Sequence, residues 1–528
     1  MPVTKTEKIH RGIRFALPEA VLKLAPFFVF GTVALRGIWR SLLIQPRGVL
    51  YRAFLVLALT HGLASPGFAQ FETRTSSLVS PQPGPLSVAT GDFNHDGRLD
   101  AVVASAYEIQ GRNSTEVQVL LGNGDGTFKA AVNYRVGQAP DSVAAADVNH
   151  DGNSDIVVAD SASDTVSVLL GNGDGTFQPA VSFPVPQNPT FVAVGDFNND
   201  GKIDIATVNG SDATGYCDCV AVLLGNGDGT FQEPPIITSL AAPPTSAFGV
   251  GRFRAGGNLD IAVSEESEFT SQVEILIGNG DGSFRSGSTY EVGSGPGAVA
   301  VADFNGDSHL DLAVSENEEE AIGVLLGNGD GTFQPEVRYG TNFPLWVTAA
   351  DLTGDGTQDL VVANLDFSSG VSTLKGNGDG TFQSGVYYPD GAEDRFVAVG
   401  DFNGDKKPDI VVLDFLYSKA IVLLNTGTVT FSPTTPVNFK KQAVGTKSAA
   451  QKIILTNTGK TELKISSMKA SAQFGVSSTC GASVAGGANC TISVTFSPKT
   501  QGVKSGTVTI NDSASSKPQV IELSGTGT

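Results

Sequence analysis

Between residues 71 and 432, short apolar runs alternate with tight polar stretches, and the alternation recurs along the chain. One unit shows the pattern. Phe191–Gly195, Ile203–Val208 and Val220–Leu224 are runs of strand length, too short for helices. Asp196–Lys202, between the first two, is turn-rich, and a loop of varied length precedes the third. Gly225–Gly229 follows, where Asn-Gly and Asp-Gly supply the positive φ angles of a hairpin turn. Phe231–Thr238, interrupted by Pro234 and Pro235, suits a fourth strand at an edge. Four antiparallel strands in roughly fifty residues make a propeller blade. The first strand of each unit is rich in small residues, as in Val143–Ala146 and Val299–Ala302, which fit the crowded axis.

Two signatures mark seven such units. The first opens at Asp92, Asp147, Asp196, Asp303, Asp351 and Asp401, with a worn copy at Arg252. The second, Gly-Asn-Gly-Asp-Gly-(Thr/Ser)-Phe, opens at Gly122, Gly171, Gly225, Gly278, Gly327 and Gly376 and is eroded to Asn425-Thr426-Gly427 in the last unit. The piece from Phe71 to Val79 reads as a fourth strand without a blade. The last unit lacks room for one, so the chain is expected to close its ring by lending its first strand to its last blade. Closure removes exposed sheet edges.

The first signature carries chemistry. The spacing Asp-x-Asn-x-Asp-Gly-x-x-Asp aims side-chain oxygens from positions 1, 3, 5 and 9 at one point, with a main-chain carbonyl at 7 and a sharp turn at the Gly of position 6. Hard oxygens in a flexible loop suit Ca2+ better than Mg2+. Intact loops are Asp92/Asn94/Asp96/Asp100, Asp147/Asn149/Asp151/Asp155 and Asp196/Asn198/Asp200/Asp204, with carbonyls from Arg98, Asn153 and Lys202. Three are modified. Asp303/Asn305/Asp307/Asp311 has Ser308 for Gly, Asp351/Thr353/Asp355/Asp359 has Thr for Asn, and Asp401/Asn403/Asp405/Asp409 has Lys406 for Gly. The worn copy offers Arg252, Arg254 and Gly256 before Asp260 and is expected to bind no ion. An Asx-turn without an ion explains one such loop, but not three mutually repelling carboxylates in each of six. The Gly-Asn-Gly-Asp-Gly segments read as hairpin turns and not as a second ion site.

Beyond the repeats, residues 437–528 form a separate domain with short strands at Lys452–Thr456, Leu463–Ser467, Cys490–Phe496, Gly506–Ile510 and Val520–Ser524. That rhythm over about ninety residues suggests a β-sandwich. Cys480 and Cys490 are expected to form a disulfide, whereas a bridge between Cys217 and Cys219 spans one residue and is strained. The four cysteines fall into two close pairs, which suits an oxidising compartment. Residues 1–69 are an N-terminal extension with basic flanks, an apolar run from Ala53 to Leu59 and small residues before Gln70, the order of a secretory signal peptide. No permanent membrane span is expected. Lys plus Arg number 34 and Asp plus Glu 54, a formal net charge of −20 that disfavours nucleic acid and favours cations.

On these motifs residues 71–432 resemble FG-GAP/VCBS repeats, the units of integrin-α-like propellers. The C-terminal stretches Leu455–Gly459, Cys490–Phe496 and Leu523–Gly527 resemble the Hydin-type, or choice-of-anchor D, immunoglobulin-like module. The resemblance implies an all-β chain, a seven-bladed β-propeller followed by an immunoglobulin-like sandwich that serves as a spacer or interaction module without catalytic residues. The implied function is a secreted or cell-surface calcium-binding protein, a non-catalytic adhesion or ligand-binding module with an extracellular protein or glycan ligand. The alternative is an extracellular polysaccharide lyase or hydrolase. Past the signal only His95, His150 and His309 remain, all inside the acidic loops, and no Gly-x-Ser-x-Gly elbow is present. Strand direction alternates, so the acidic loops and the Gly-Asn-Gly-Asp-Gly turns share one face. The variable loops emerge on the other, with Tyr107, Tyr216, Phe269, Phe367 and Tyr417 as candidate ligand contacts, joined by Phe343, Trp346 and Arg395 in the inter-blade loops. Exposed aromatics on variable loops are common anchors.

Overall fold

The computed structural model describes residues 70–78, 84–105, 113–210, 217–267, 270–365, 370–389, 394–427, 429–432, 437–457, 462–513 and 519–528. Residues 1–69, where a signal peptide is expected, lie outside these residues, as do Tyr107, Tyr216, Phe269 and Phe367. Among the described residues no helix is long and apolar enough to cross a membrane.

The repeats fold into a propeller of four-stranded antiparallel sheets, seven among the described residues. Its innermost strands are Pro85–Gly91, Pro140–Ala146, Pro189–Gly195, Pro244–Gly251, Pro296–Ala302, Pro344–Ala350 and Asp394–Gly400, and each adjoins the next around a closed circuit. The second strand of each blade is buried along its length, as Asp155–Asp160 and Asp204–Asn209 show, save for the terminal Glu266 in blade four. It is therefore apolar on both faces, packing against a blade on each side. Blade three runs Pro189–Gly195, Asp204–Asn209, Cys219–Leu223 and Ile236–Ser239, with Val192 opposite Thr207. Its fourth strand starts later than the apolar run at Phe231 suggests. Phe231 bridges back to Gly225, and Pro234 and Pro235 have no N–H to donate, so the ladder begins beyond them.

Ring closure follows the expected route. Gln70–Leu78 pairs with Lys419–Gly427, placing Gln70 against Gly427 and Leu78 against Lys419. The N-terminal strand thereby completes blade seven.

One boundary differs from the sequence reading. Val429–Ser432 pairs with Gln451–Asn457, Phe431 opposite Leu455, and so belongs to the sandwich and not to the last blade. Once the N-terminal strand has filled the outer edge of blade seven, no edge there is left for it. The sandwich has a four-stranded sheet and a five-stranded sheet around Ile453, Leu455, Ile492, Val494, Phe496, Val508, Ile510 and Ile521. Both cysteine pairs are bridged, Cys480–Cys490 as expected and also Cys217–Cys219.

Candidate functional site: the acidic loops and the turns that meet them

Each acidic loop leaves the inner strand and curls back into the second strand. The aspartate at position 9 is the first residue of that second strand and is fully buried, as at Asp100, Asp155, Asp204 and Asp311. Its two oxygens join both signatures of the repeat. In blade one, Phe93 N donates to Asp100 Oδ2 at 2.9 Å and Gly122 N donates to Oδ1 at 2.7 Å. The arrangement recurs at Asp155 with Val148 and Gly171, Asp204 with Phe197 and Gly225, Asp311 with Phe304 and Gly327, and Asp359 with Leu352 and Gly376. Blade seven keeps it with Asn425 N in place of glycine, 2.7 Å from Asp409. The first glycine of the turn has a steric reason, since a Cβ at Gly122 would lie 2.2 Å from the Leu99 carbonyl oxygen.

The turns also staple neighbouring blades. Gly175 N donates to the Phe93 carbonyl of the preceding blade, Gly331 N to Phe253, Gly380 N to Phe304, and Gly126 N to Phe402 across the ring closure. Above these bonds the signature phenylalanines meet edge to face, Phe93 with Phe177 at 5.4 Å and Phe304 with Phe382 at 5.3 Å. Within the turns Thr127 donates to Asp125 Oδ1, and Asn123 donates to Thr127 Oγ1. These are the bonds of a hairpin turn.

In the loops themselves, Asp92 accepts from the backbone N–H groups of Asp96 and Gly97, Asn94 accepts from Asp96, and Asp96 accepts from Arg98. Asp147, Asn149 and Asp151 repeat the pattern, as do Asp196, Asn198 and Asp200. The modified loops keep it. Ser308 N donates to Asp303 and Asp307 N to Asn305; Gly356 N donates to Asp351; Lys406 N donates to Asp401 and Asp405 N to Asn403. Positions 4 and 6 are left-handed in all six loops, including the non-glycines Ser308 at φ 70° and Lys406 at φ 67°. Lys406 is exposed. Lys406→Gly is therefore expected to stabilise the protein by about 1 kcal/mol, read from urea unfolding; a loss of stability would show that the loop needs its lysine.

The electrostatics separate these loops from ordinary turns. Burial pushes Asp100, Asp155, Asp204 and Asp311 up to about 6 and Asp359 and Asp409 up to about 7. Backbone donors oppose the shift, and neighbouring loop carboxylates add to it, Asp96 and Asp92 in the case of Asp100. Among the described residues no three acidic, His or Cys side chains converge closely enough to form a cage. The loop oxygens are instead turned toward backbone donors, yet each carboxylate oxygen keeps a second lone pair. Thr353, at position 3 of the loop in blade six, buries an Oγ1 with no hydrogen-bond partner. Lys375 reaches the same loop, 3.0 Å from Asp355, which its charge and the Thr357 donors hold down to about 2 against burial.

The worn loop completes the comparison. Arg254 occupies position 3, and its Nη2 lies 2.7 Å from Asp260 Oδ1 while Nε approaches Oδ2. The same Nη2 donates to the Gly278 carbonyl at 3.0 Å. The blade that lost its acids at positions 1 and 5 has thus acquired a fixed cation on its buried aspartate.

On the opposite face, Tyr417 is 59 % exposed, at the turn between the second and third strands of blade seven. A feature missed in the sequence lies at the far end of the second strands. Asp160, Asn209, Glu316, Asn364 and Asp414 occupy its last position in five blades, all buried. Ser167 Oγ, in the third strand of blade two, donates to Asp160 Oδ2 at 2.6 Å, and Gly293 N donates to Glu316, tying the linker before blade five to the sheet. Burial raises Asp160 to about 7, opposed by Ser167 and reinforced by Asp141. A folded value above the unfolded one means stability that is present below about pH 4 and lost as pH rises through 7. Asp160→Asn is expected to flatten the fall in stability between about pH 4 and 7; an unchanged slope would contradict the assignment.

Comparison with known families matches the FG-GAP-like repeat at residues 104–158, 147–207, 196–263, 253–314, 303–362 and 351–412, and the FG-GAP repeat at 84–120. The abnormal spindle-like microcephaly-associated ASPM-SPD-2-Hydin domain matches 428–520, placing its start at the same boundary as the strand Val429–Ser432. No curated protein sequence matches the chain. Among solved structures it is similar to the periplasmic gluconolactonase PpgL of Pseudomonas aeruginosa, at 14% identity over 57% of this chain and 84% of that one, with a TM-score of 0.42. A putative 6-phosphogluconolactonase from Bacteroides uniformis gives 14%, 59%, 88% and 0.44. The ASH/PapD-like domain of human CEP192 gives 17% identity over 19% of this chain and 84% of that one, with a TM-score of 0.16.

Proposed function

Because the chain belongs to the FG-GAP-like repeat family, we propose that it is a secreted calcium-binding propeller that displays a ligand-binding face opposite its metal loops. The observation that carries the calcium assignment is the exchange in blade four. Six loops cluster like charges around a buried aspartate, and in the worn one a guanidinium sits on that aspartate. Buried carboxylates are retained where a cation neutralises them. In the other six the donors of an ion are the carboxylates at positions 1, 5 and 9, the oxygen at position 3 and the carbonyl at position 7. When bound, the ion supplies charge neutralisation and holds the loop; it takes no part in a reaction.

The ligand is an extracellular protein or glycan, engaged through the variable face that carries Tyr417. The sandwich, of the Hydin-type family, acts as a spacer. Six loops and one worn copy predict about six calcium ions per chain, countable by atomic emission after equilibration in millimolar calcium. Fewer than about three would overturn the calcium assignment. Screening on glycan and protein arrays, alongside turnover of a polysaccharide panel, tests the rest: saturable binding without turnover supports the module, and turnover supports the lyase or hydrolase alternative.

A further inference from the structure

The inner strands begin on the face away from the acidic loops, and their opening residues surround the axis there. The strands open alike, as Pro85-Leu86-Ser87, Pro140-Asp141-Ser142, Pro189-Thr190-Phe191, Pro344-Leu345-Trp346 and Asp394-Arg395-Phe396. A cavity of about 300 Å3 lies among them, lined from six of the seven inner strands.

Its floor is aromatic. Trp346 stacks on Phe396 with centroids 3.8 Å apart, and Phe191 lies 5.5 Å from Trp346. Phe191 belongs to blade three and Trp346 to blade six, so these rings meet across the axis and plug the channel. The wall is polar and carries both signs. Asp141 stands on blade two and Arg395 on blade seven, with Thr190 on blade three and Thr245, whose hydroxyl bonds to Ser264, on blade four. The Arg395 guanidinium lies over the Phe415 ring at 3.8 Å, which fixes its plane. Ser87 and Ser142 accept from Val143 N and Val192 N, so the wall is braced between blades. Burial pushes Asp141 up to about 6, opposed by Ser161.

We propose that this axial cup binds a single neutral sugar, the terminal residue of a glycan. The cavity is at the small end of ligand pockets, enough for one ring. A sugar presents a C–H face to an aromatic floor and a rim of hydroxyls that both donate and accept. The rim matches a carboxylate that accepts, a guanidinium that donates and the Thr190 hydroxyl that does either. A purely apolar ligand would displace water from Asp141 and Arg395 and offer them no polar contact in its place. A phosphate would meet one arginine but also the carboxylate. The proposal rests on the ligand-binding reading of this face and is tested apart from it.

Trp346 is one of two tryptophans, the other being Trp39. In the full chain carrying Trp39→Phe, emission therefore reports the floor of the cup. The probes are D-glucose, D-galactose, D-mannose, L-fucose, D-xylose and N-acetyl-D-glucosamine, each titrated in millimolar calcium. At least one is expected to change Trp346 emission saturably, and Asp141→Asn and Arg395→Gln are each expected to weaken it about tenfold or more with the melting temperature unchanged. If one variant fails to fold, the other decides. No saturable change with any of the six sugars overturns the proposal, as does unchanged affinity in a folded variant. Saturation by glycine or phenylalanine in place of the sugars also overturns it, and points to a zwitterion between Asp141 and Arg395. Array binding that Tyr417→Ala abolishes while the sugars leave Trp346 unmoved would overturn the cup and leave the face standing.

Discussion

Chelating calcium is expected to lower the melting temperature of the propeller and to leave the transition of the sandwich in place. The acidic loops all lie between Asp92 and Asp409, and the sandwich begins at Val429. Extracellular oxygen sites bind calcium with Kd on the order of 10⁻⁴–10⁻³ M. At about 1 mM calcium such a site contributes roughly 0.4–1.5 kcal/mol by mass action. Six together reach several kcal/mol, comparable with the whole net stability of a domain. The effect should be larger than simple occupancy at one blade suggests. The acidic loop also gives its position-2 carbonyl to the next blade's turn, as Phe93 does to Gly175. Loosening one loop therefore loosens a blade interface. Calorimetry with and without chelator checks this, with two transitions resolved. Superimposable traces would show that the backbone donors alone hold the loops.

Arg254→Ala is expected to cost about 3 kcal/mol, because it strands a buried carboxylate. Asp260 is fully buried, and Arg254 is its cation at 2.7 Å, itself only 27% exposed. The Gly278 carbonyl loses a donor in the same step. The loss should be the same with and without calcium, since this blade carries no acidic loop. Adding Asp260→Asn to Arg254→Ala should recover much of the stability, because the stranded charge is gone. Arg252→Ala provides the contrast: Arg252 is exposed and donates to the Gly257 carbonyl, so its removal should cost less than about 1 kcal/mol. A loss below 1 kcal/mol for Arg254→Ala, or a fall in bound calcium, would refute the view that the guanidinium stands in for an ion.

Much of this protein was legible along the chain because its information is local and repeated. Short apolar runs at strand length, separated by Asn-Gly and Asp-Gly, set the strand order of each blade. The repeat period set the number of copies, and the acidic spacing marked which loops are alike. A strand without a blade at one end and a blade without a strand at the other announced the closure that pairs Gln70–Leu78 with Lys419–Gly427.

Contacts between repeats were not legible, since periodicity describes what recurs and not what touches. Both signatures were recognised, but only the fold shows that they recur together because the position-9 aspartate binds the first residue of the turn. Along the sequence, Arg254 marks only a loop that has lost its charge; in the fold its guanidinium lies against Asp260 and replaces that charge. The strand Val429–Ser432 changed domains because the edge it would have paired with was already taken by residues from the far end of the chain. The axial cup has the same origin. Asp141, Phe191, Trp346 and Arg395 are separated by tens to hundreds of positions in sequence, and it is closure of the ring that turns each inner strand's first residues toward one axis. Local sequence thus determined the parts of this molecule and their order. Their juxtaposition, on which both the acidic loops and the cup depend, was decided by the packing of blade against blade.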